Sequence, residues 1–169
     1  MINAARFAVD AEYRAQEFQS TPEDRPLVAH FGGNDPAQLL AAARLVEDRC
    51  DAVDLNLGCP QVVAFHGHYG SFLLDDVDRP LVLKIVKTLA DALSIPVFVK
   101  IRLLSTLPAT IELCKQLAEA GAALIAVHAR HRVSLTDRNA DARGGRALLE
   151  QVTAIGMELP MDVTLIACV

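Results

Sequence analysis

The sequence predicts an α/β fold, a partial (β/α)8 TIM barrel in which about five parallel strands alternate with helices. Short apolar runs bounded by Gly or Pro alternate along the chain with longer amphipathic stretches. The apolar runs are continuous, as expected for strands of a parallel sheet that is covered on both faces. Polar residues follow at the carboxyl ends of successive strands, where barrel enzymes assemble their sites.

The predicted elements follow one another in a regular order. The strands are runs rich in Val, Ile, Leu and Phe, and they cover residues 26–31, 52–57, 96–103, 124–128 and 163–169. The helices carry apolar residues on one side, and they cover residues 36–48, 80–93, 108–120 and 147–155. Gly121 follows the third of these helices, in the position where glycine commonly ends a helix.

Two architectures fit this alternation, an open doubly wound sheet and part of a barrel. The barrel is favoured because no strand is followed by the Gly-x-Gly-x-x-Gly turn of a dinucleotide-binding fold, and no phosphate-binding loop of the Walker type occurs. Instead, polar residues stand at the ends of successive strands: His30, Asn56, Cys59, Lys100, Arg102, His128 and Arg130. Convergence of that kind is typical of barrel enzymes.

Composition limits the classes of protein to which the chain can belong. With 169 residues, 52% of them hydrophobic and 22% charged, it is long enough to form one globular core. The net charge of −5 argues against a protein that is basic overall, although a local basic surface could still bind nucleic acid. No apolar run approaches the ~20 residues of a membrane span, and no secretory signal is apparent. We expect a cytoplasmic protein, with a nuclear or mitochondrial location left open.

The four cysteines show no spacing typical of a zinc site or a disulfide framework. We therefore expect reduced thiols and no metal. One of them, Cys59, lies in the most informative motif, which joins residues 54–60 (DLNLGCP) to residues 67–70 (GHYG). Gly58 and Pro60 end the preceding strand and place Cys59 in the loop just beyond it. The motif brings a thiol, the Asn56 amide and flexible backbone together at a strand end.

This motif resembles that of the flavin-dependent tRNA dihydrouridine synthases, and most nearly their eukaryotic branch that modifies the D-loop. Further residues carry the resemblance at matching intervals: 25–28, 34–36, 61–75, 100–102 and 127–130. It covers most of the chain, from about Met1 to Ala147. It implies an enzyme that uses FMN to reduce the C5–C6 double bond of a uridine in tRNA, with NADPH as the reductant of the flavin.

In that family the catalytic domain is a (β/α)8 barrel with FMN at its C-terminal mouth, followed by a smaller helical domain that helps to bind tRNA. Five strands and four helices are fewer than a closed barrel needs, since one typically takes about 250 residues. We therefore expect residues 1–169 to form an incomplete TIM-barrel catalytic domain. The resemblance implies that the first strand, the last strands and the helical domain are absent from it.

The resemblance also assigns roles to single residues. Cys59 matches the general acid: as hydride passes from the flavin to uracil C6, a neutral thiol can give a proton to C5. Asn56 matches a residue near the target uracil, where an amide offers both a donor and an acceptor. The alternative for Asn56 is that it caps the turn from strand to loop. Lys100 and His128 match flavin ligands, although a core histidine would look the same in one sequence.

The remaining candidates are two arginines and a departure from the family pattern. Arg102 and Arg130 resemble residues that face substrate or phosphate. His30 stands where the family usually has a glutamine that bonds the pyrimidine edge of the flavin, so we expect it to bind the cofactor with altered hydrogen bonding. The loop beyond Arg130 carries further charges, and it could contact a tRNA backbone or be a solvated loop of mixed charge: Arg132, Arg138, Arg143, Asp137 and Asp141.

Three functions of different classes remain open at this point. The first is the tRNA dihydrouridine synthase that the resemblance implies. The second is another FMN barrel oxidoreductase that acts on a free pyrimidine, such as a relative of dihydroorotate dehydrogenase, although the Asn-x-Gly-Cys-Pro motif argues against it. The third is a truncated fragment that is catalytically dead or only binds RNA. The sequence also leaves the oligomeric state open.

Overall fold

A computed structural model describes residues 1–132 and 145–169. Within these residues one six-stranded parallel sheet has its strands in sequence order. The strands are β1 (Ile2–Asn3), β2 (Val28–Gly32), β3 (Ala52–Leu57), β4 (Val97–Leu103), β5 (Ala122–His131) and β6 (Thr164–Cys168). The helices are α1 (Ala4–Val9), α2 (Ala11–Glu17), α3 (Pro36–Arg44), α4 (Val62–His66), α5 (Arg79–Ala92), α6 (Leu107–Glu119) and α7 (Leu149–Gly156).

This parallel sheet with alternating helices confirms the predicted α/β fold. The strands form an arc that is not closed into a barrel by the residues described. The sheet has six strands rather than the predicted five, because the two residues of β1 pair with the end of β2 through Ile2 and Phe31. A strand of two residues is too short to show any periodicity in the sequence.

Helices α1, α2 and α4 were not predicted either. Each has seven residues or fewer, too few for the spacing of apolar residues to indicate a helix. The signals that could have found α1 and α2 are their N-caps, because the side chains of Asn3 and Asp10 accept hydrogen bonds from the N–H groups of Arg6 and Tyr13.

The bounds of the predicted elements shift by a few residues. Helix α3 ends at Arg44 rather than at residue 48. Beyond Arg44 the chain forms turns in which an N–H donates to the carbonyl three residues earlier, as the N–H of Val46 does to the Ala43 carbonyl. Strand β5 extends beyond the predicted 124–128 at both ends. It begins immediately after Gly121, whose φ of +104° ends the preceding turn at little cost for glycine.

The core lies between the sheet and the helices. Phe31, Leu55, Val99 and Ile125 occupy one register position across four neighbouring strands, and each is at most 2% exposed. Complete burial of such a side chain stabilises a fold by roughly 1.5–3 kcal/mol. Because side chains alternate between the two faces of a strand, their neighbours in sequence lie on the opposite face, which we call the inner face.

Candidate active site

The inner face brings together the side chains that the sequence predicts at the strand ends. Its residues have even numbers in strands β2 to β5, and they include His30, Asn56, Lys100, Arg102 and His128. Asn56 and Lys100 are register partners, as are Arg102 and His128. Arg130 follows in β5, with a guanidinium nitrogen 3.4 Å from Nε2 of His128. Because residues two apart in a strand lie on the same face of the sheet, all six of these side chains share one surface.

Cys59 lies in the loop directly after β3, and side chains from two strands hold this loop. The Asn56 side-chain oxygen accepts hydrogen bonds from the N–H groups of Gly58 at 2.9 Å and Cys59 at 3.0 Å. Nε of Arg102 donates to the Gly58 carbonyl at 2.8 Å. The amide oxygen of Asn56 is thus occupied in shaping the turn, as the alternative interpretation of this residue expects.

A second segment holds the loop from the other side. Both the N–H and the hydroxyl of Ser71 donate to the Cys59 carbonyl, each at 3.0 Å. Gly70 precedes it with φ +67°, and a Cβ at Gly70 would lie 2.7 Å from that same carbonyl oxygen. Only glycine fits this position without displacing the loop. Residues 67–70 therefore accompany residues 54–60 in the motif because Gly70 lies directly against the loop that carries Cys59.

Arg132 anchors the segment that contains Ser71. Its guanidinium donates to the Ser71 carbonyl at 2.9 Å and pairs with the carboxylate of Asp75 at 2.8 Å. Ser71 and Arg132 were not identified from the sequence as residues that shape the site. The signal that could have found Ser71 is its place after the second glycine of the GHYG motif, next to a turn that needs a positive φ.

The four thiols differ in their surroundings. Cys59 is half-buried, with Sγ 3.7 Å from the side-chain oxygen of Gln61. Cys114 is wholly buried in α6, and this burial raises the pKa of its thiol to about 12. Burial also raises the pKa of the Cys50 thiol. The fourth, Cys168, lies on β6 as the register partner of His128. Cys59 is the thiol that combines accessibility with a fixed loop at the carboxyl edge of the sheet.

Positive charge is concentrated on the inner face. No carboxylate of residues 1–132 or 145–169 lies within 4.0 Å of Lys100, Arg102 or Arg130. Burial and the nearby Arg130 lower the pKa of Arg102, which is 5% exposed. Burial and the three cations lower the pKa of His128 to about 4. His128 is therefore a neutral ring among cations at neutral pH.

Two hydrogen-bonding atoms on this face have no partner among residues 1–132 and 145–169. They are Nδ1 of His128 and one carboxylate oxygen of Asp54, and both are buried. A buried polar atom without a partner destabilises a fold by roughly 1–3 kcal/mol unless a ligand or water satisfies it. Among the described residues, these cations have no counter-ion and this ring nitrogen has no partner. Together they provide the environment that an anionic ligand with hydrogen-bonding groups requires.

His30 makes a contact that the sequence did not indicate. Its Nδ1 lies 2.5 Å from a carboxylate oxygen of Asp54, its register partner in β3. Asp54 fixes the orientation of the imidazole and leaves Nε2 as the ring nitrogen open to a ligand. A histidine held in this way offers a single hydrogen-bonding atom, where a glutamine amide would offer a donor and an acceptor together.

The structure describes only some of the charged residues that the sequence analysis singled out beyond Arg130. Arg132 belongs to the structural network around Ser71, whereas Arg138, Arg143, Asp137 and Asp141 lie outside the described residues. In the part of the chain that the structure describes, no group of three or more His, Cys, Asp or Glu could hold a metal ion. Nor does any helix there have the length and apolar character needed to cross a membrane.

Comparison with protein families gives one match over almost the whole chain. The family model described as dihydrouridine synthase (Dus) matches residues 1–168. This family has the TIM-barrel fold, with which the open parallel arc of strands agrees. The match includes both halves of the cysteine motif and the strands that carry Lys100 and His128.

Curated proteins similar to this chain include fungal and mammalian ones. The tRNA-dihydrouridine(16/17) synthase of Saccharomyces cerevisiae, whose name includes NAD(P)(+), is 47% identical over 135 residues, which are 78% of this chain and 31% of that protein. The synthase of the same name from Schizosaccharomyces pombe is 38% identical over 99% of this chain and 41% of its own length. A human tRNA-dihydrouridine(20a/20b) synthase-like protein is 35% identical over 77% of this chain and 41% of its own length. The chain thus spans between about a third and two fifths of the length of these relatives.

Proposed function

Because this chain belongs to the dihydrouridine synthase family, we propose that it reduces the C5–C6 double bond of a uridine in tRNA, with FMN as the hydride carrier and NADPH as the reductant. The observation that supports this most strongly is the position of Cys59. Its accessible thiol lies at the carboxyl edge of the sheet, beside a cationic face with an unpartnered ring nitrogen. A proton donor next to a site for an anionic ligand suits reduction of a pyrimidine.

The residues of the inner face fit FMN. Its phosphate and its reduced ring carry negative charge, for which Lys100 and Arg130 are available without competing carboxylates among the described residues. The unpartnered Nδ1 of His128 and the open Nε2 of His30 can each bond to a polar group of the cofactor. Lys100, His128 and His30 would hold FMN, and when bound it supplies the hydride chemistry that no side chain provides.

The part of this chain in the reaction is to position groups and to deliver a proton. Cys59 gives the proton to uracil C5, and it must be protonated to do so. Asn56, Arg102 and Ser71 fix the backbone on either side of that thiol, so that the donor is already in position when substrate arrives. Arg130 lies at the rim of the same face, where a substrate phosphate can reach it.

We propose tRNA as the partner despite the net charge of −5, because the cations of the site have no carboxylate within 4.0 Å among the described residues, whereas surface cations such as Arg6 and Lys115 are paired with carboxylates. The names of the two fungal relatives refer to positions 16 and 17 of tRNA. Those positions are the first to examine for this chain.

The proposal is tested in a strain that lacks dihydrouridine in its tRNA. We expect the gene that encodes this chain to restore dihydrouridine, measured by mass spectrometry of nucleosides from purified tRNA. Cys59→Ala is expected to abolish the product, since the proton donor is lost. Cys114→Ala serves as the matched control, because that thiol is buried in α6 away from the inner face. Unchanged dihydrouridine with Cys59→Ala would overturn the role assigned to Cys59.

Cofactor binding has its own measurement. Purified protein, stripped of flavin and titrated with FMN, is expected to quench flavin fluorescence with a stoichiometry of about one. Lys100→Gln is expected to weaken this binding while the protein stays folded, and Lys84→Gln is the control because Lys84 is an exposed residue of α5. Folded protein that neither binds FMN nor forms dihydrouridine would favour the fragment without catalytic activity. Activity on free uracil or orotate without tRNA would favour the other flavin oxidoreductase.

A further inference from the structure

A cluster of exposed apolar side chains lies beside the Cys59 loop. In α4, Val62 is 59% exposed, Val63 60% and Phe65 50%, and the exposed ring of His66 follows them. We call these four residues the α4 surface. Single exposed apolar residues are common, but a contiguous group at the edge of an active site indicates a binding surface.

Phe65 has a fixed orientation on this surface. Its ring contacts Phe72 at a centroid distance of 5.4 Å and an interplanar angle of 68°, and His66 at 5.5 Å and 63°. The guanidinium of Arg132 in turn lies 5.2 Å from the ring centroid of Phe72. Edge-to-face packing of this kind holds the Phe65 ring in place while half of it remains open to solvent.

The α4 surface is tied to Cys59 through the backbone. The N–H of Phe65 donates to the Gln61 carbonyl at 3.1 Å, two residues after Cys59. Phe72 adjoins Ser71, whose hydroxyl holds the Cys59 carbonyl. A nucleotide that places its base at Cys59 therefore brings its neighbours in the strand close to Phe65.

The α4 surface differs in charge from the inner face. Residues 61–74 contain no Lys, Arg, Asp or Glu, whereas the adjoining inner face carries Lys100, Arg102 and Arg130. Single-stranded RNA offers two complementary features, a row of phosphates and a row of aromatic bases. Cations suit the phosphates, and a neutral surface with an open aromatic ring suits a base.

We propose that Phe65 is a stacking platform for a nucleobase next to the target uridine in an RNA loop. The inference rests on the proposed function, because it takes the base at Cys59 to be a uridine of tRNA. It adds a contact that recognises the flanking nucleotide by its aromatic face rather than by its phosphate. Such contacts tolerate different bases, so this one supports affinity and placement rather than the choice of sequence.

The first experiment uses the absence of tryptophan from the chain. Phe65→Trp gives a protein with a single indole, and we expect its fluorescence to be quenched when an unmodified tRNA transcript binds, because the indole stacks on a base. Met157→Trp is the matched control. Met157 is 81% exposed at the end of α7, which leads into the amino end of β6 and so lies at the edge of the sheet opposite the site. Equal quenching in both variants, or in neither while tRNA binds, would overturn the proposal.

The second experiment separates stacking from simple apolar contact. Phe65→Leu keeps apolar area but loses the aromatic face, whereas Phe65→Tyr keeps that face. We expect Phe65→Leu to weaken tRNA binding roughly tenfold and Phe65→Tyr to bind like the wild type. The dependence of affinity on salt should be the same for Phe65→Leu and the wild type, because no phosphate contact is lost. If Phe65→Leu binds tRNA as the wild type does, no base stacks on Phe65.

Failure of this proposal and failure of the proposed function give different results. With active protein, Phe65→Leu should raise KM for tRNA and leave kcat at saturating tRNA unchanged, whereas Cys59→Ala removes turnover. If no dihydrouridine forms but tRNA still quenches the fluorescence of Phe65→Trp and not that of Met157→Trp, the proposed reaction is wrong. Stacking of an RNA base on Phe65 is then still supported. If the α4 surface instead joins two copies of the chain, sedimentation will show association that Phe65→Leu abolishes, with tRNA binding unaffected, and the proposal is wrong.

Discussion

The buried ring of His128 makes a quantitative prediction about stability and pH. Burial and three neighbouring cations lower its pKa from 6.5 to about 4 in the folded chain. In the unfolded chain the ring has its ordinary pKa of about 6.5. Between those two values the unfolded state binds a proton that the folded state does not, so acidification favours unfolding. The free energy of unfolding should therefore fall as the pH is lowered from about 6.5 to about 4, and His128 should contribute no pH dependence above that interval.

The size of the effect follows from the same two pKa values. A proton bound only by the unfolded state changes the free energy of unfolding by about 1.4 kcal/mol per pH unit. Over the whole interval this amounts to at most roughly 3 kcal/mol, and little screening by solvent is expected because His128 is 6% exposed. For a domain of this size, an effect of that magnitude is a substantial part of the total stability.

Urea unfolding at a series of pH values measures this contribution. Carboxylates such as Asp51, whose pKa is lowered by hydrogen bonding, also titrate in acid, so the informative quantity is the difference between wild type and His128→Gln. We expect the free energy of unfolding of the wild type minus that of His128→Gln to fall progressively as the pH is lowered from about 6.5 to about 4. His66→Gln, at an exposed position, is the control for the replacement of a histidine. Parallel curves for wild type and His128→Gln would refute the reasoning that a neutral ring is buried among cations.

Three further predictions concern the loop that carries Cys59. Arg102→Leu leaves the Gly58 carbonyl without its donor, and we expect a loss of about 1–3 kcal/mol in thermal or urea unfolding; a loss much smaller than this would mean that water replaces the guanidinium. Gly70→Ala places a Cβ 2.7 Å from the Cys59 carbonyl at φ +67°, so it should cost at least about 1–2 kcal/mol, and an unchanged unfolding midpoint would contradict the geometry. Asn56→Ala should destabilise the chain by about 1–3 kcal/mol, because the N–H groups of Gly58 and Cys59 lose their acceptor. Asn56→Asp keeps an acceptor for these two N–H groups and should destabilise the chain less. Equal losses of stability in the two variants would show that the turn does not depend on the side-chain oxygen of Asn56.

The sequence predicted the convergence of the site correctly for a simple reason. Parallel strands present their carboxyl ends at one edge, and residues two apart in a strand share a face. His30, Lys100, Arg102 and His128 lie at such positions, so their arrangement depends only on strand assignment and register. Cys59 follows from the turn signals that end β3. The roles of these residues toward substrate and cofactor stay predictions that binding and activity measurements can test.

Other features depended on contacts between segments far apart in the chain. The hydrogen bond from Arg102 to Gly58, the pair of His30 with Asp54, and the hold of Ser71 on the Cys59 loop each join residues separated by at least 12 positions. No local pattern indicates such contacts, because periodicity reports only which face of an element is apolar. The same limit explains why the short elements near the amino terminus were missed.

What the sequence by itself determined is the alternation of strands and helices, the family of the chain, and the thiol at the end of β3, because these depend on residue type and spacing along the chain. The tertiary structure alone decided how that thiol is held and what surrounds it. Asn56 and Arg102 support the loop from neighbouring strands, the cations keep His128 neutral, and Phe65 is left open beside Cys59. The physical reason is that hydrogen bonding, burial and charge at a site depend on which strands become neighbours, and neighbours are decided only when the sheet forms.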